Sequence, residues 1–206
     1  MLHKYRKCII YVKTLSPPRS CRRCLRLLDV KLKFGCDMAS ITTPPEVIMA
    51  DKSKLGMEFP LYSIKVERNK IAEFAAAVAQ KDDTDQIKEI YRNVDLAKDA
   101  GYQDIPIPPT FPTSFVFWTG GGLLGTVNAV GADVSKLLHS EEDYEYFAPI
   151  CAGDVITRKM KVVDMYERGK KERKGWYVQV TILETELINQ RGELVLKART
   201  TFMERG

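Results

Sequence analysis

The chain has 206 residues, 45% of them hydrophobic and 29% charged, which is the composition of one globular domain with a core. It contains no run of 18 apolar residues, and this excludes a conventional membrane-spanning helix. Ten Lys or Arg and two Asp give residues 1–37 a net charge of +8, whereas the remaining residues carry 22 basic and 25 acidic side chains, a net charge of −3. The basic pI therefore belongs to the leader, and we expect no nucleic-acid-binding face on the domain.

Residues 1–48 form a basic leader that we exclude from the fold prediction. The leader holds four of the five cysteines, but the pair in "CRRC" lacks the second ligand pair that a zinc site needs. We expect a segment that is disordered or not part of the mature chain, with Met38 or Met49 as the true start instead of Met1. The alternative is an organelle-targeting segment, because such segments are Arg-rich and acid-poor. The first interpretation predicts a cytoplasmic protein.

Residues 49–206 are predicted to form a single domain. The first element is a strand in "FPLYSIKV" (59–66). Asn69 is then a suitable N-cap for a helix over about 69–79, whose apolar residues recur at helical spacing. Asn93 is the predicted N-cap of a second, short helix.

A stiff segment precedes the most apolar part of the chain. The four prolines of "IPIPPTFPTSF" favour an extended backbone. Thr110 is a suitable N-cap for the stretch "TSFVFWTGGGLL", which is predicted to be a buried helix because it is apolar nearly all round. The three glycines (120–122) would end or loosen this helix. They do not follow a strand, so we do not interpret them as a phosphate loop.

The last third of the chain is predicted to be all strand. A sheet of about five strands covers one apolar helix only if it curls around that helix. The predicted fold class is therefore α+β, a hot dog fold in which an antiparallel sheet of about five strands wraps round one long buried helix. The four C-terminal strands are predicted over 136–147, 155–168, 175–188 and 193–205, with a hairpin turn at 189–192.

Several polar residues were weighed as catalytic groups. Asp82 and Asp83 lie in the acidic loop "KDDTDQIKEIY" before Tyr91, where a carboxylate can polarise water, although such charge runs more often form solvated loops. His139 lies in a strand pattern, and we interpret it as a structural or surface residue. Cys151 has no evident base beside it.

The segment "PPTF" (108–111) has a more specific use. An extended segment that leads into a helix brings backbone N–H groups and the positive end of the helix to one place. This arrangement suits the carbonyl oxygen of a thioester, which gains negative charge during α-proton removal or addition.

The chain resembles a known family over nearly all of residues 57–205. The matching stretches are "KIAEFAAAV", "IYRNVDLAKDAGY", "IPPTFPTSF", "LLHSEEDYEYFAPICAGDVI" and the two closing strands. They resemble the MaoC-like dehydratases, and more narrowly the N-terminal, FAS1-type dehydratase domain. They are also similar to the substrate-holding subunit of heterodimeric (3R)-hydroxyacyl-ACP dehydratases.

The resemblance implies a hot dog fold that works in pairs on acyl-CoA or acyl-ACP thioesters. Catalytic members activate water with an Asp and a His. In this sequence Asp82 or Asp83 lies near the Asp position, and Tyr91 replaces the His. The Asp/His dyad is therefore not intact, and Asp82, Asp83 and Tyr91 remain weak catalytic candidates.

We accordingly expect a subunit of an (R)-specific enoyl-thioester hydratase or 3-hydroxyacyl-thioester dehydratase, a hydro-lyase. It would pair as a homodimer, or as a heterodimer with a catalytic MaoC-like chain. No metal, redox cofactor, nucleic acid or membrane is implied. The alternatives are a non-catalytic acyl-thioester binding module and a hot dog thioesterase. The expected substrate-binding residues are Tyr91, Pro109, Thr110 and Phe111 at the thioester end. Phe115 and Trp118 are candidate contacts of the acyl chain, although such residues more often pack in the core.

Overall fold

The computed structural model describes residues 8–11, 49–79, 89–118, 120–169 and 177–206. These ranges contain nine regular elements: β1 (Cys8–Tyr11), β2 (Tyr62–Lys65), α1 (Arg68–Val78), α2 (Val94–Asp99), α3 (Gly122–Ala129), β3 (Leu137–Tyr146), β4 (Val155–Gly169), β5 (Tyr177–Ile188) and β6 (Leu194–Arg205). Short 3-10 helices lie at Lys52–Lys54, Phe111–Trp118 and Val134–Lys136.

The strands form one antiparallel sheet in the order β1-β3-β6-β5-β4-β2. The five strands predicted for the domain are confirmed. The turn between β5 and β6 is confirmed as well, with Gly192 at a φ of +80° that favours glycine.

A sixth strand, β1, lies at the free edge of β3. It runs antiparallel to β3, with Cys8 opposite Tyr144 and Tyr11 opposite Glu141. The rest of the leader lies outside the described residues. The division of the chain into a leader and a domain remains a prediction.

The start of α1 corrects one prediction. The helix begins at Arg68, so Asn69 lies inside it and is not its N-cap. Glu67 precedes the helix with an extended backbone but makes no side-chain cap bond. Arg68, the first residue of the helix, forms an ion pair in which its Nη2 lies 2.6 Å from Oδ2 of Asp104. Because Arg68 pairs with this carboxyl group, the pKa of Asp104 is lowered.

The N-cap predicted for α2 is confirmed. The side-chain oxygen of Asn93 accepts hydrogen bonds from the backbone N–H groups of Asp95 (2.9 Å) and Leu96 (3.2 Å). These bonds satisfy two of the N–H groups that a helix start leaves without a partner in the helix.

The long buried helix predicted after Thr110 is divided into two helices. A 3-10 helix (Phe111–Trp118) comes first, and Gly121, with a φ of +85°, then introduces α3. Space is also restricted at Gly120, where a larger residue would displace the Tyr62 side chain. A Cβ atom on Gly120 would lie 2.8 Å from the hydroxyl oxygen of Tyr62. The glycines therefore break the helix, and α3 continues on their far side.

The divided helical segment is buried on one side only. Phe111 and Phe115 are buried, whereas Phe117 is 65% and Leu124 is 57% exposed. The prediction of burial all round is wrong for these two residues. None of the helices in the described ranges is long and apolar enough to cross a bilayer.

The core consists of two clusters of buried side chains. The first cluster joins Phe111 and Phe115 to side chains of α1 and of β2, β3, β4, β5 and β6. The second cluster joins Ala50 and α3 to the other part of the sheet, through Met160, Leu183 and Phe202.

Glu204 is a buried charged residue that fastens the start of the domain to the sheet. It is 2% exposed, and its two carboxylate oxygens accept from the backbone N–H groups of Ala50 and Asp133, both at 2.7 Å. The side chain of Gln179 donates to the carbonyl oxygen of Ala50 at 2.6 Å. A buried carboxylate is tolerated here because both oxygens are hydrogen-bonded.

We predict that Glu204→Gln lowers the free energy of unfolding by about 1–3 kcal/mol, because an amide has only one acceptor oxygen and leaves one buried N–H group without a partner. Urea denaturation measures this loss. Glu145→Gln is the control, since Glu145 is an exposed residue of β3. A change of less than about 0.5 kcal/mol for Glu204→Gln would contradict the role of Glu204.

Candidate functional site

A cavity of about 280 Å³ lies between the helical segment and the sheet. Its wall is mostly apolar. The helical segment contributes Phe115, Phe117 and Leu123, and the sheet contributes Met160, Leu183, Leu187, Ala198 and Phe202, among others. A narrow apolar space of this kind suits a hydrocarbon chain.

The cavity is the space between the two core clusters. Phe115 and Leu187 belong to the first cluster, and Leu183 and Phe202 belong to the second. All four also line the cavity. The sheet and the helical segment therefore pack tightly on both sides of the cavity and leave it open between them.

A histidine and a glutamate lie together on the β3 side of the cavity. The Nε2 atom of His139 is 3.0 Å from Oε2 of Glu142, and both residues line the cavity. The side chains are 42% and 14% exposed, respectively. The His139 ring also packs on Phe202, with 5.4 Å between ring centroids. The sequence analysis treated His139 as structural and did not single out Glu142.

A β-bulge brings these two side chains to the same face. Successive side chains of a strand point to opposite faces, so residues 139 and 142 would normally lie on different faces. The register between β3 and β6 shifts between His139 and Glu141, which adds one residue at Ser140. Leu137 and His139 before the bulge, and Glu142 and Tyr144 after it, consequently all face the cavity.

A second polar pair continues the same wall. The Thr113 hydroxyl and the Tyr144 hydroxyl are 2.5 Å apart and link the 3-10 helix to β3. Burial raises the pKa of Tyr144 far above its ordinary value, and the charge of Glu142 raises it further. The phenol therefore stays protonated at neutral pH and is able to donate a hydrogen bond.

Arg158 lines the cavity from β4, which is separated from β3 in the sheet by β6 and β5. It is 6% exposed, and its Nη2 atom is 2.8 Å from the sulfur of Met160. Burial lowers the pKa of the guanidinium, but an arginine remains charged at neutral pH. The sequence analysis missed this residue, because a basic side chain in a strand pattern ordinarily indicates the solvent face.

The predicted chain contacts lie in or beside the cavity. Phe115 lines it. Trp118 packs on the rings of Phe111 and Phe115, with centroids 5.6 and 5.7 Å apart, respectively. Phe111 is fully buried in the first core cluster, and Tyr91 packs against that cluster. Phe111 and Tyr91 therefore belong to or contact the core and are not part of the described wall of the cavity.

The predicted thioester end lies just before the 3-10 helix. Pro109 is exposed, and its carbonyl oxygen accepts a hydrogen bond of 2.9 Å from the Tyr146 hydroxyl. The N–H group of Phe111 donates to Pro108, and that of Thr113 donates to Thr110. The turn itself thus uses two N–H groups that we expected to be free. Asp82 and Asp83 lie outside the described residues.

Comparison with known proteins places the chain in a family. The family described as "FAS1-like, dehydratase domain region" matches residues 53–198. The chain belongs to this family. A UPF0336 protein of Thermobifida fusca is 31% identical over 142 residues, which is 69% of this chain and 84% of that protein. A second UPF0336 protein, from Saccharopolyspora erythraea, is 29% identical over 157 residues, or 76% of this chain and 92% of the relative.

Solved structures confirm the hot dog fold of this FAS1-like dehydratase domain. The HadBC (3R-hydroxyacyl-ACP dehydratase) complex of Mycobacterium tuberculosis superposes with a TM-score of 0.57 at 26% identity, covering 73% of this chain and 96% of that one. A MaoC-like dehydratase has a TM-score of 0.60 at 20% identity, covering 75% of this chain and 43% of that one. The similarity to the MaoC-like dehydratase supports only the fold.

Cys151 is the one cysteine of residues 49–206, and in this dehydratase domain it is buried. Burial raises the pKa of its thiol, so little thiolate is present at neutral pH. This environment does not suit a nucleophile.

We predict that Cys151 in the native protein is alkylated by iodoacetamide at pH 7.5 at least about tenfold more slowly than in urea, because only the exposed thiolate reacts. Peptide mass spectrometry over a time course measures this one site separately from the leader cysteines. Equal rates in the native and unfolded protein would contradict the burial of Cys151.

Proposed function

We propose that the chain is the acyl-binding subunit of an (R)-specific enoyl-thioester hydratase or 3-hydroxyacyl-thioester dehydratase. The observation that carries this proposal is the apolar cavity of about 280 Å³, with polar side chains on one wall, inside a FAS1-like dehydratase domain. The acyl chain of the ligand would lie between the helical segment and the sheet, where Phe115 would contact it.

The thioester end of the ligand would lie at the start of the 3-10 helix, beside Pro109 and Thr110. This is where the chain leaves its extended segment and Thr110 is half-buried. Tyr91 and Phe111 would fix the position of this turn from the core behind it. The similarity to the HadBC complex, named as a 3R-hydroxyacyl-ACP dehydratase, supports a CoA or carrier-protein thioester as the ligand.

A second hot dog chain would supply the catalytic Asp and His. Residues 49–206 contain one histidine, His139, and it lies on β3, far in sequence from the loop where the family carries its catalytic pair. Tyr91 stands in the place of the catalytic histidine, and a phenol is a poor base near neutral pH. Two similar solved structures of M. tuberculosis proteins, HadBC and ChsH1–ChsH2, are described as complexes.

The partner would dock on the apolar side chains next to the cavity. Phe117 and Leu124 are exposed on the 3-10 helix and on α3. Phe117 also lines the cavity, so a chain that covers these residues would close the cavity on that side. Large apolar side chains grouped at such a place favour a protein contact.

We predict that Ala198→Leu weakens the binding of a medium-chain acyl-CoA by about tenfold or more, because Ala198 lies on the sheet side of the cavity and a leucine there takes up space meant for the chain. Isothermal titration calorimetry measures the dissociation constant. Thr200→Leu, at the next inward-facing position of β6, should act in the same direction.

The matched control is Ala77→Leu, which makes the same change at an exposed position of α1. In this variant the affinity for the acyl-CoA should stay within about twofold of that of the unsubstituted protein. If Ala198→Leu and Thr200→Leu both fold and bind the acyl-CoA normally, the acyl chain does not occupy this cavity.

We predict that the purified chain alone does not hydrate a trans-2-enoyl-CoA at an enzymatic rate, and that it does so after mixing with a hot dog chain that carries an intact Asp/His motif. In the hydration, the oxygen of water bonds to C3 and a proton is added at C2. Loss of absorbance of the enoyl thioester measures this reaction.

Leu124→Glu should abolish the gain in rate because a charge then lies in the apolar contact, whereas Val78→Glu, an exposed apolar position on α1, should not. Full activity of the chain alone would exclude the two-subunit proposal. Inactivity with every such partner despite acyl-CoA binding would favour a non-catalytic binding module, and release of free thiol would indicate a thioesterase.

A further inference from the structure

Two polar pairs stand side by side on an otherwise apolar cavity wall. One pair is His139 with Glu142, at 3.0 Å, and the other is Thr113 with Tyr144, at 2.5 Å. All four residues line the cavity, and the charge of Glu142 acts on the Tyr144 hydroxyl. Hydrogen bonding within each pair satisfies part of their capacity, and the remaining donors and acceptors face a mostly apolar cavity, where they can bind a polar group of the ligand.

A β-bulge, which interrupts the regular pairing of β3, brings the β3 members of these pairs to one face of the sheet. Without the bulge between His139 and Glu141, Glu142 and Tyr144 would not share a face with His139. Bulges are frequent next to functional sites, where they redirect a side chain. The His139 ring is further held by packing on Phe202, so its position against Glu142 is fixed from two sides.

The pairs lie close to the proposed thioester end. Thr113 is three residues beyond Thr110 in the 3-10 helix, which is roughly 6 Å at a rise of about 2 Å per residue. A ligand oxygen that reaches Thr113 and Tyr144 must therefore lie near the thioester and not at the far end of the chain. An oxygen on C3 meets this condition.

We propose that Thr113 and Tyr144 bind the hydroxyl group on C3 of a 3-hydroxyacyl thioester, with Glu142 and His139 as the positioning pair, so that this chain itself selects hydroxylated over unsubstituted acyl groups. This inference rests on the proposed acyl-binding function. A hydroxyl group both donates and accepts, so it can donate to the carboxylate of Glu142 or the oxygen of Tyr144 while accepting from the Thr113 or Tyr144 hydroxyl.

An unsubstituted chain would displace water from these groups without replacing its hydrogen bonds. Sites built to bind a hydroxyl group discriminate strongly against ligands that lack it, for this reason. The selection would come from residues of the acyl-binding subunit, whereas the Asp and His that we assign to the partner would act on the same C3 hydroxyl group.

The test is calorimetric titration of the full chain with 3-hydroxyoctanoyl-CoA and octanoyl-CoA, which differ only in the hydroxyl group. The ratio of the two dissociation constants is the readout, since damage to the fold weakens both ligands alike. We expect the hydroxylated ligand to bind about tenfold or more tightly. Thr113→Val and Tyr144→Phe should each reduce this ratio to about twofold or less, and Glu142→Gln should reduce it in part.

Thr157→Val is the matched control, because Thr157 lies on β4 with its hydroxyl bonded to Ser63 outside the cavity wall. The ratio should not change in this variant. A ratio near one in the original chain, or a ratio that survives in both Thr113→Val and Tyr144→Phe, would overturn the inference while leaving acyl binding intact. Failure to bind either ligand would instead overturn the proposed function, and the inference with it.

Discussion

The packing of the sheet against a divided helical segment is the constraint on which the site depends. The glycines at 120–122 split the segment, so its 3-10 half packs in the first core cluster and α3 packs in the second. Close packing at two places holds the sheet and the helices at a fixed separation, and the space between the clusters remains as the cavity.

The bulge in β3 then decides the chemistry of the cavity wall. It changes the inward-facing residues from odd to even numbers between His139 and Glu141, and so adds Glu142 and Tyr144 to a wall that already contains Leu137 and His139. Strand β3 thereby presents acid, imidazole and phenol groups to a mostly apolar space. The same strand also pairs with β1 on its other side.

Much of the fold follows from the sequence because its signals are local. The three long C-terminal strands were predicted close to the observed β4, β5 and β6, and Asn93 predicts the start of α2. The cap at Asn69 was wrong because the helix begins one residue earlier, at Arg68. The site was harder to predict. Phe115 lines the cavity, and its role as a contact of the acyl chain remains a prediction. A bulge leaves no mark in an alternating pattern, so the pairing of His139 with Glu142 and the inward direction of Arg158 emerge only from the assembled sheet.

The central claim is that the acyl chain of a thioester occupies the space between the helical segment and the sheet. Photolabelling with an acyl-CoA that carries a diazirine on its chain tests this claim directly, with the labelled residues located by peptide mass spectrometry. The account predicts labels on cavity residues such as Phe115, Leu183 and Ala198, and their loss when excess unlabelled acyl-CoA competes. Labels confined to the outer face of the sheet, or labels that competition does not reduce, would contradict it.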